Sequence, residues 1–155
     1  MKVFAVPDLP EFRPGDSIPE LVSERVDLRP ADVVCVASTV VSKVEDRTAN
    51  LSEFPAGPRA REIAARLERA TGDEQDPRFA QAVLEESTDL LMEAPFLLTE
   101  TRFGHVTVNA GIDRSNVPGG DLLLLPRRPS ESAARIAADL SADRVVVTDT
   151  CGRPF

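Results

Sequence analysis

The run Val145-Val146-Val147 followed by Thr148-Asp149-Thr150-Cys151-Gly152 constrains this chain more than any other segment. Three β-branched residues in succession read as a short strand buried in a sheet, and the polar residues leading to Gly152 read as the turn it enters. Asp149 then stands at a strand end, and in open α/β sheets ligand chemistry gathers at that edge. A second segment repeats the pattern. Val106 and Val108 alternate into Asn109-Ala110-Gly111-Ile112-Asp113-Arg114-Ser115-Asn116, which sets Asp113 past another expected strand. Two strand-end carboxylates, each flanked by hydroxyl or amide oxygens, form a donor set suited to a hard divalent cation. The sequence stops inside the first of these loops, an unexpected place for a domain to close.

At 155 residues and 42% hydrophobic content, the chain is sized for a single domain spanning 1–155 with an ordinary packed core. Its 26 acids outnumber 18 bases for a net charge of −8, and lysine occurs only at Lys2 and Lys43. That balance argues against a basic nucleic-acid-binding face. The acidic, arginine-rich composition is compatible with a high-salt cytoplasm, and GC-rich coding gives the same skew. Two cysteines make no disulfide framework, so a reducing, cytoplasmic setting is expected. Cys35, inside Val33-Val34-Cys35-Val36, is expected in the core, while Cys151 lies beside the candidate metal site. The N-terminus meets Pro7 before a signal-peptide core can develop, and no apolar stretch is long enough to span a membrane.

Along the chain, Lys2 to Val6 reads as a first strand, and Pro7, Pro10, Pro14 and Gly15 break the next stretch into a loop. Pro19 opens a short helix through Val26 with Leu21, Val22 and Val26 on one side. A buried strand at Val33 to Ala37 follows, and Ser38 and Thr39 are placed to cap a helix carrying Val40 to Val44. Pro58 to Ala70 has helical spacing and ends at Gly72. Asp76 caps another helix that keeps Ala80, Val83, Leu84 and Leu91 on one face until Pro95. Phe96 to Glu100 and His105 to Val108 read as a hairpin turning at Arg102-Phe103-Gly104. Leu122 to Leu125 is an apolar run, Ser130 caps a helix to Leu140, and Arg144 to Thr148 is the last strand. Strands and helices alternate without strict order, which predicts an α+β or mixed α/β fold.

Six motifs in order carry a resemblance: Leu9-Pro10-Glu11, Arg13-Pro14-Gly15-Asp16, Ser38-Thr39-Val40-Val41-Ser42-Lys43, Asp76-Pro77-Arg78, the Asn109 to Asn116 block, and Thr148-Asp149-Thr150 with Gly152-Arg153-Pro154. Together they resemble the coenzyme F420-0:L-glutamate ligase family over essentially the whole chain. The resemblance implies a gamma-glutamyl ligase-like domain that adds γ-linked L-glutamate to coenzyme F420-0 as a homodimer. It implies dependence on GTP and on Mg²⁺ or Mn²⁺, with K⁺ as an additional candidate cation. Carried over residue by residue, Asp113, Asp149 and Thr150 hold the metal, with Asp113 and Asp149 as the catalytic carboxylates. The nucleotide positions become Leu9, Pro10, Glu11, Phe12, Ser38, Thr39, Lys43 and Asn116. Family members are longer, so this stretch matches the N-terminal portion with the C-terminal half absent. Asp46, where a glycine is expected, and Cys151, where many relatives carry Phe, are smaller departures.

These residue types suit that chemistry. Joining a carboxylate to an amine in water requires activation, and phosphoryl transfer from GTP supplies an acyl phosphate for the glutamate amine to attack; the protein then mainly positions groups and neutralises charge. Lys43 supplies a point charge for phosphates, and Asn116 can donate and accept at the nucleotide. Glu11 bonds the guanine edge or is simply solvated. Taken singly, each residue has a plainer reading: Asp149 caps a turn, Asp113 pairs with Arg114, and Lys43 faces solvent from a short helix. Arg153 suits a phosphate, a carboxylate or a structural ion pair, His105 a surface or packing role, and Glu85-Glu86-Ser87 a solvated helix face. Three readings stay open: the catalytic ligase; a non-catalytic fragment or split subunit that keeps metal binding and dimer contacts but needs a partner segment; or a different nucleotide-dependent enzyme using the same carboxylate pair.

Overall fold

The structure, a computed structural model, describes residues 2–140, 142 and 144–149. In chain order its elements are α1 (Ile18–Ser23), β1 (Val33–Ala37), α2 (Ser38–Val44), β2 (Thr48–Ala49), α3 (Pro58–Thr71) and α4 (Pro77–Glu86). There follow β3 (Ser87–Met92), β4 (Leu98–Thr101), β5 (Val106–Val108), β6 (Leu122–Leu123), α5 (Pro129–Leu140) and β7 (Arg144–Thr148). The fold is mixed α/β with helices and several small sheets, as the sequence pattern predicts. The described residues form two compact units, one from residues 2–47, 126–140, 142 and 144–149, the other from 48–125.

In the first unit β1 and β7 pair in parallel, Val33 opposite Arg144 through Ala37 opposite Thr148. Strands 111 residues apart in sequence thus end side by side. Val34 and Val36 point into a core with Phe12, Ile18, Val22, Val41, Ile136 and Leu140. The alternate positions do not. Val33 is 49% exposed and Cys35 is also exposed, so β1 is a half-buried strand and Cys35 is not the core residue expected from the run around it. Period-two alternation explains this: only one face of the strand is covered among the described residues. β7 alternates likewise, with Val146 45% exposed.

Three further expectations are corrected in this unit. Lys2 to Val6 joins no strand ladder among the described residues, and Val3 and Phe4 are exposed. α1 is shorter than the sequence suggests, ending at Ser23, and it begins under a Ser17 cap whose hydroxyl accepts from the Glu20 N–H. α5 starts one residue before Ser130, with Pro129 in its first turn.

The second unit has its own core, built around Ile63, Leu67, Val83, Leu97, Leu122 and Leu124. α3 fits its sequence signature closely: Pro58 in the first turn, buried Ala60, Ile63, Ala64 and Leu67, and Gly72 at φ 81° closing the helix in the left-handed region. α4 begins as expected, with the Asp76 carboxylate accepting from the Arg78 N–H. It ends early. The expected helix to Pro95 changes at Ser87 into β3, and Leu91 is 49% exposed. The Ser87 hydroxyl turns back to the Val83 carbonyl at 2.7 Å, and β3 pairs with β4, satisfying the backbone in a sheet that helical spacing alone does not reveal. β4 and β5 form the expected hairpin, closed by Gly104 at φ 80°.

Candidate functional site

The parallel pairing of β1 and β7 brings two predicted site residues together. Ser38 directly follows β1 and Asp149 directly follows β7, so both leave the carboxyl edge of the same strand pair. The Ser38 hydroxyl donates to Asp149 Oδ1 at 3.0 Å. Ser38 was expected to cap α2, but Ala37 occupies the cap position and no side chain caps the helix there. The hydroxyl of Ser38, a buried residue, instead reaches across the sheet edge and fixes one oxygen of an exposed carboxylate. A carboxylate oriented in this way suits a cation, because its lone pairs keep one direction.

α2 also carries Lys43, which is buried at 6% exposure. Its ammonium pairs with Glu11 Oε1, and the Glu11 side chain is 62% exposed. Lys43 is therefore not the solvent-facing charge of the plainer sequence reading. Removing an ammonium from water costs several kcal/mol without a partner, and the Glu11 carboxylate supplies one. The loop bearing Glu11 is itself anchored: Phe12 inserts into the core, and the Gly15 N–H donates to the Val44 carbonyl at the end of α2. Leu9 and Pro10 are exposed on this loop, and Thr39 is half-buried in the first turn of α2.

A network not legible in the sequence holds α2 in place. Glu45 Oε1 accepts from Arg135 Nη2 at 2.6 Å and from the buried Ser132 hydroxyl, fastening the end of α2 to α5. The partners lie 87 and 90 residues apart, and no spacing rule connects them.

In the second unit Asp113 bridges Leu123 with two backbone hydrogen bonds of 3.0 and 2.9 Å. Its Oδ1 accepts from the Ser115 N–H at 2.8 Å and the Ser115 hydroxyl at 2.7 Å, an Asx-type turn, in place of the Arg114 pairing that the plainer reading offered. Arg114 instead lies over the Phe79 ring, 4.8 Å from its centroid. Asn116 is exposed in the same loop.

The backbone leading into Asp113 is strained. Asn109, Ala110 and Gly111 occupy the left-handed region in succession, at φ 54°, 54° and 68°. Two non-glycine residues there cost of order 1–3 kcal/mol each and persist only where the surroundings over-determine them. The surroundings do so: Asn109 N–H donates to the Leu97 carbonyl at 2.7 Å, and Ala110 N–H donates to the hydroxyl of fully buried Thr99 at 3.0 Å. A buried network thus holds this strained backbone directly before Asp113.

Asp113 and Asp149 belong to different units, and each is described within its own. Among the described residues no group of three or more His, Cys, Asp or Glu side chains gathers at one point. Asp113 and Asp149 are each an oriented oxygen donor within their own unit, of the type that hard cations prefer. Thr150, the third expected ligand, lies outside the described residues, as do Cys151 and Arg153. His105 is exposed and stacks on Phe103 with 6.5 Å between centroids, in keeping with a surface role.

The model of the family described as F420-0:Gamma-glutamyl ligase matches residues 8–155. The chain belongs to that family. It is 70% identical over 155 residues to a coenzyme F420:L-glutamate ligase of Halorubrum lacusprofundi, covering 100% of this chain and 62% of that protein. A protein of the same name from Halobacterium salinarum is 68% identical over 156 residues, with the same coverage. The likeness reaches to Archaeoglobus fulgidus, where the ligase is 46% identical over 160 residues. The chain therefore spans about 62% of the length of the curated ligases it matches. No helix among the described residues is long and apolar enough to cross a membrane.

Proposed function

We propose that this chain forms part of a GTP- and divalent-metal-dependent ligase that adds γ-linked L-glutamate to coenzyme F420-0 through an acyl phosphate. Family membership supports the ligase reading, and the Ser38–Asp149 contact at the carboxyl edge of β1 and β7 is the observation that carries the site. In this reading Asp113, Asp149 and Thr150 hold Mg²⁺ or Mn²⁺, which when bound screens the phosphate charges of the nucleotide. Ser38 keeps the Asp149 carboxylate aimed. Lys43, with Glu11 beside it, places a cation among the nucleotide residues Leu9 to Phe12, Ser38, Thr39 and Asn116. The substrate carboxylate takes the γ-phosphoryl group of GTP, and the glutamate amine then displaces phosphate to form the amide. Positioning and charge neutralisation account for the protein's share of such a reaction. The homodimer and cytoplasmic setting belong to the same proposal.

The decisive variant is Asp149→Asn in a chain extended to the length of its relatives. An amide keeps the Ser38 hydrogen bond but cannot neutralise a cation. Calorimetric Mn²⁺ titration is expected to show affinity weakened at least about tenfold, with GTP-dependent ligation lost. Equal Mn²⁺ affinity in both proteins would sink the metal assignment. Comparing the 155-residue chain with the extended one separates the ligase from the non-catalytic subunit: turnover by the short chain alone would remove the second reading.

A further inference from the structure

Asp76-Pro77-Arg78 belongs to the motif set, yet the ligase reading gives it no task. In the second unit it lines an open cleft of about 700 Å³ together with Arg61, Arg114, Glu74 and Gln75. That volume lies within the range of small-molecule sites. Three guanidinium groups thus face two carboxylates.

One of those carboxylates is already satisfied. Asp76 accepts from Arg78 in a fork, Oδ1 from Nε at 3.1 Å and Oδ2 from Nη2 at 2.6 Å, while also capping α4. Arg61 and Arg114 are different: no ion pair or side-chain hydrogen bond ties either to another described residue. Arg114 is nevertheless held, because its guanidinium lies on the Phe79 ring. Stacking uses the face of the guanidinium plane and leaves the N–H donors at its edge. Arg114 also acts electrostatically on Asp76, and with Glu74 as the second carboxylate the three guanidinium groups leave the lining net positive. Pro55 and Pro77 stiffen the walls, which lowers the ordering cost of binding.

We propose that this cleft is a binding site for a carboxylate or phosphate oxyanion, held by Arg61 and Arg114 with Arg78 fixed beside them by Asp76. A guanidinium fork matches both groups, and a lining of three arginines against two carboxylates selects for anions. The site needs neither nucleotide nor metal, so it stands or falls apart from the ligase reading.

The test is a calorimetric titration of the 155-residue chain, free of nucleotide and metal, with inorganic phosphate in one arm and glutarate in the other. At least one probe is expected to saturate. The preferred probe distinguishes a phosphoryl source from a carboxylate source. Arg114→Gln and Arg61→Gln are each expected to weaken binding about tenfold, as loss of a charge-assisted hydrogen bond does. Arg69→Gln, an exposed change at the far end of α3, serves as the control for general charge loss and is expected to leave affinity unchanged. Arg61 is exposed, so its variant reports binding even if Arg114→Gln disturbs Phe79. Failure of both probes to saturate, or an equal loss in Arg61→Gln and Arg69→Gln, would overturn the proposal.

Discussion

Gly111→Ala is expected to unfold the Asp113 loop more readily than any other single methyl addition at a glycine of left-handed backbone. Two costs combine. At φ 68° an alanine meets the left-handed penalty, about 1 kcal/mol. The added Cβ would also stand 2.4 Å from Leu125 Cδ1 and 2.7 Å from Leu125 Cγ. Leu125 is buried at 7% exposure and cannot swing into solvent, so overpacking adds about 1–3 kcal/mol. The sum is about 2–4 kcal/mol, a loss of about 5–15 °C in Tm for a chain of this size. Gly119→Ala isolates the first cost, because its φ is 76° and nothing lies within 4 Å of the new methyl group; it should lose only about 1 kcal/mol. Thermal unfolding followed by circular dichroism compares the two. The double variant Gly111→Ala, Leu125→Ala should be less destabilised than the sum of the singles by about 1–3 kcal/mol, since the clash is gone. If Gly111→Ala melts with Gly119→Ala, or the double variant is strictly additive, the clash with Leu125 does not exist in solution and the argument fails.

Removing the hydroxyl that orients Asp149, in Ser38→Ala, is expected to weaken Mn²⁺ binding about tenfold while the fold is retained, as calorimetry and circular dichroism can show together; unchanged affinity would mean the hydrogen bond positions nothing. Lys43→Ala should weaken GTP binding and flatten its dependence on ionic strength, measured at two salt concentrations, because one cation–phosphate attraction is lost. For Asp76, the hydrogen bond from Arg78 holds the carboxyl below the usual carboxylate range. The stability this contributes is present above the unfolded pKa and disappears as pH falls through the folded one. Wild type should therefore be more stable than Asp76→Asn at about pH 6, with the gap closing below about pH 4. A gap that stays constant down to pH 2.5 would show that the ion pair does not couple to folding.

The sequence alone determined those features whose cause is local. Pro58 and Gly72 delimit α3, Asp76 and Pro77 open α4, and Gly104 closes the β4–β5 hairpin, because backbone dihedrals and capping hydrogen bonds act over three or four residues. The Val145 to Val147 run likewise placed Asp149 just past a strand end. Tertiary structure decided whatever depends on which surface meets which. An apolar stretch such as Val33 to Ala37 cannot say whether one face or both are covered, and so Cys35 came out exposed while Val34 and Val36 are buried. Helical spacing through Leu91 could not compete with sheet pairing once β4 lay alongside, since a ladder satisfies backbone groups that a frayed helix end leaves open. Ser38 looked like a cap because the sequence holds no trace of a partner 111 residues away. Only the parallel register of β1 and β7 gives its hydroxyl the carboxylate of Asp149.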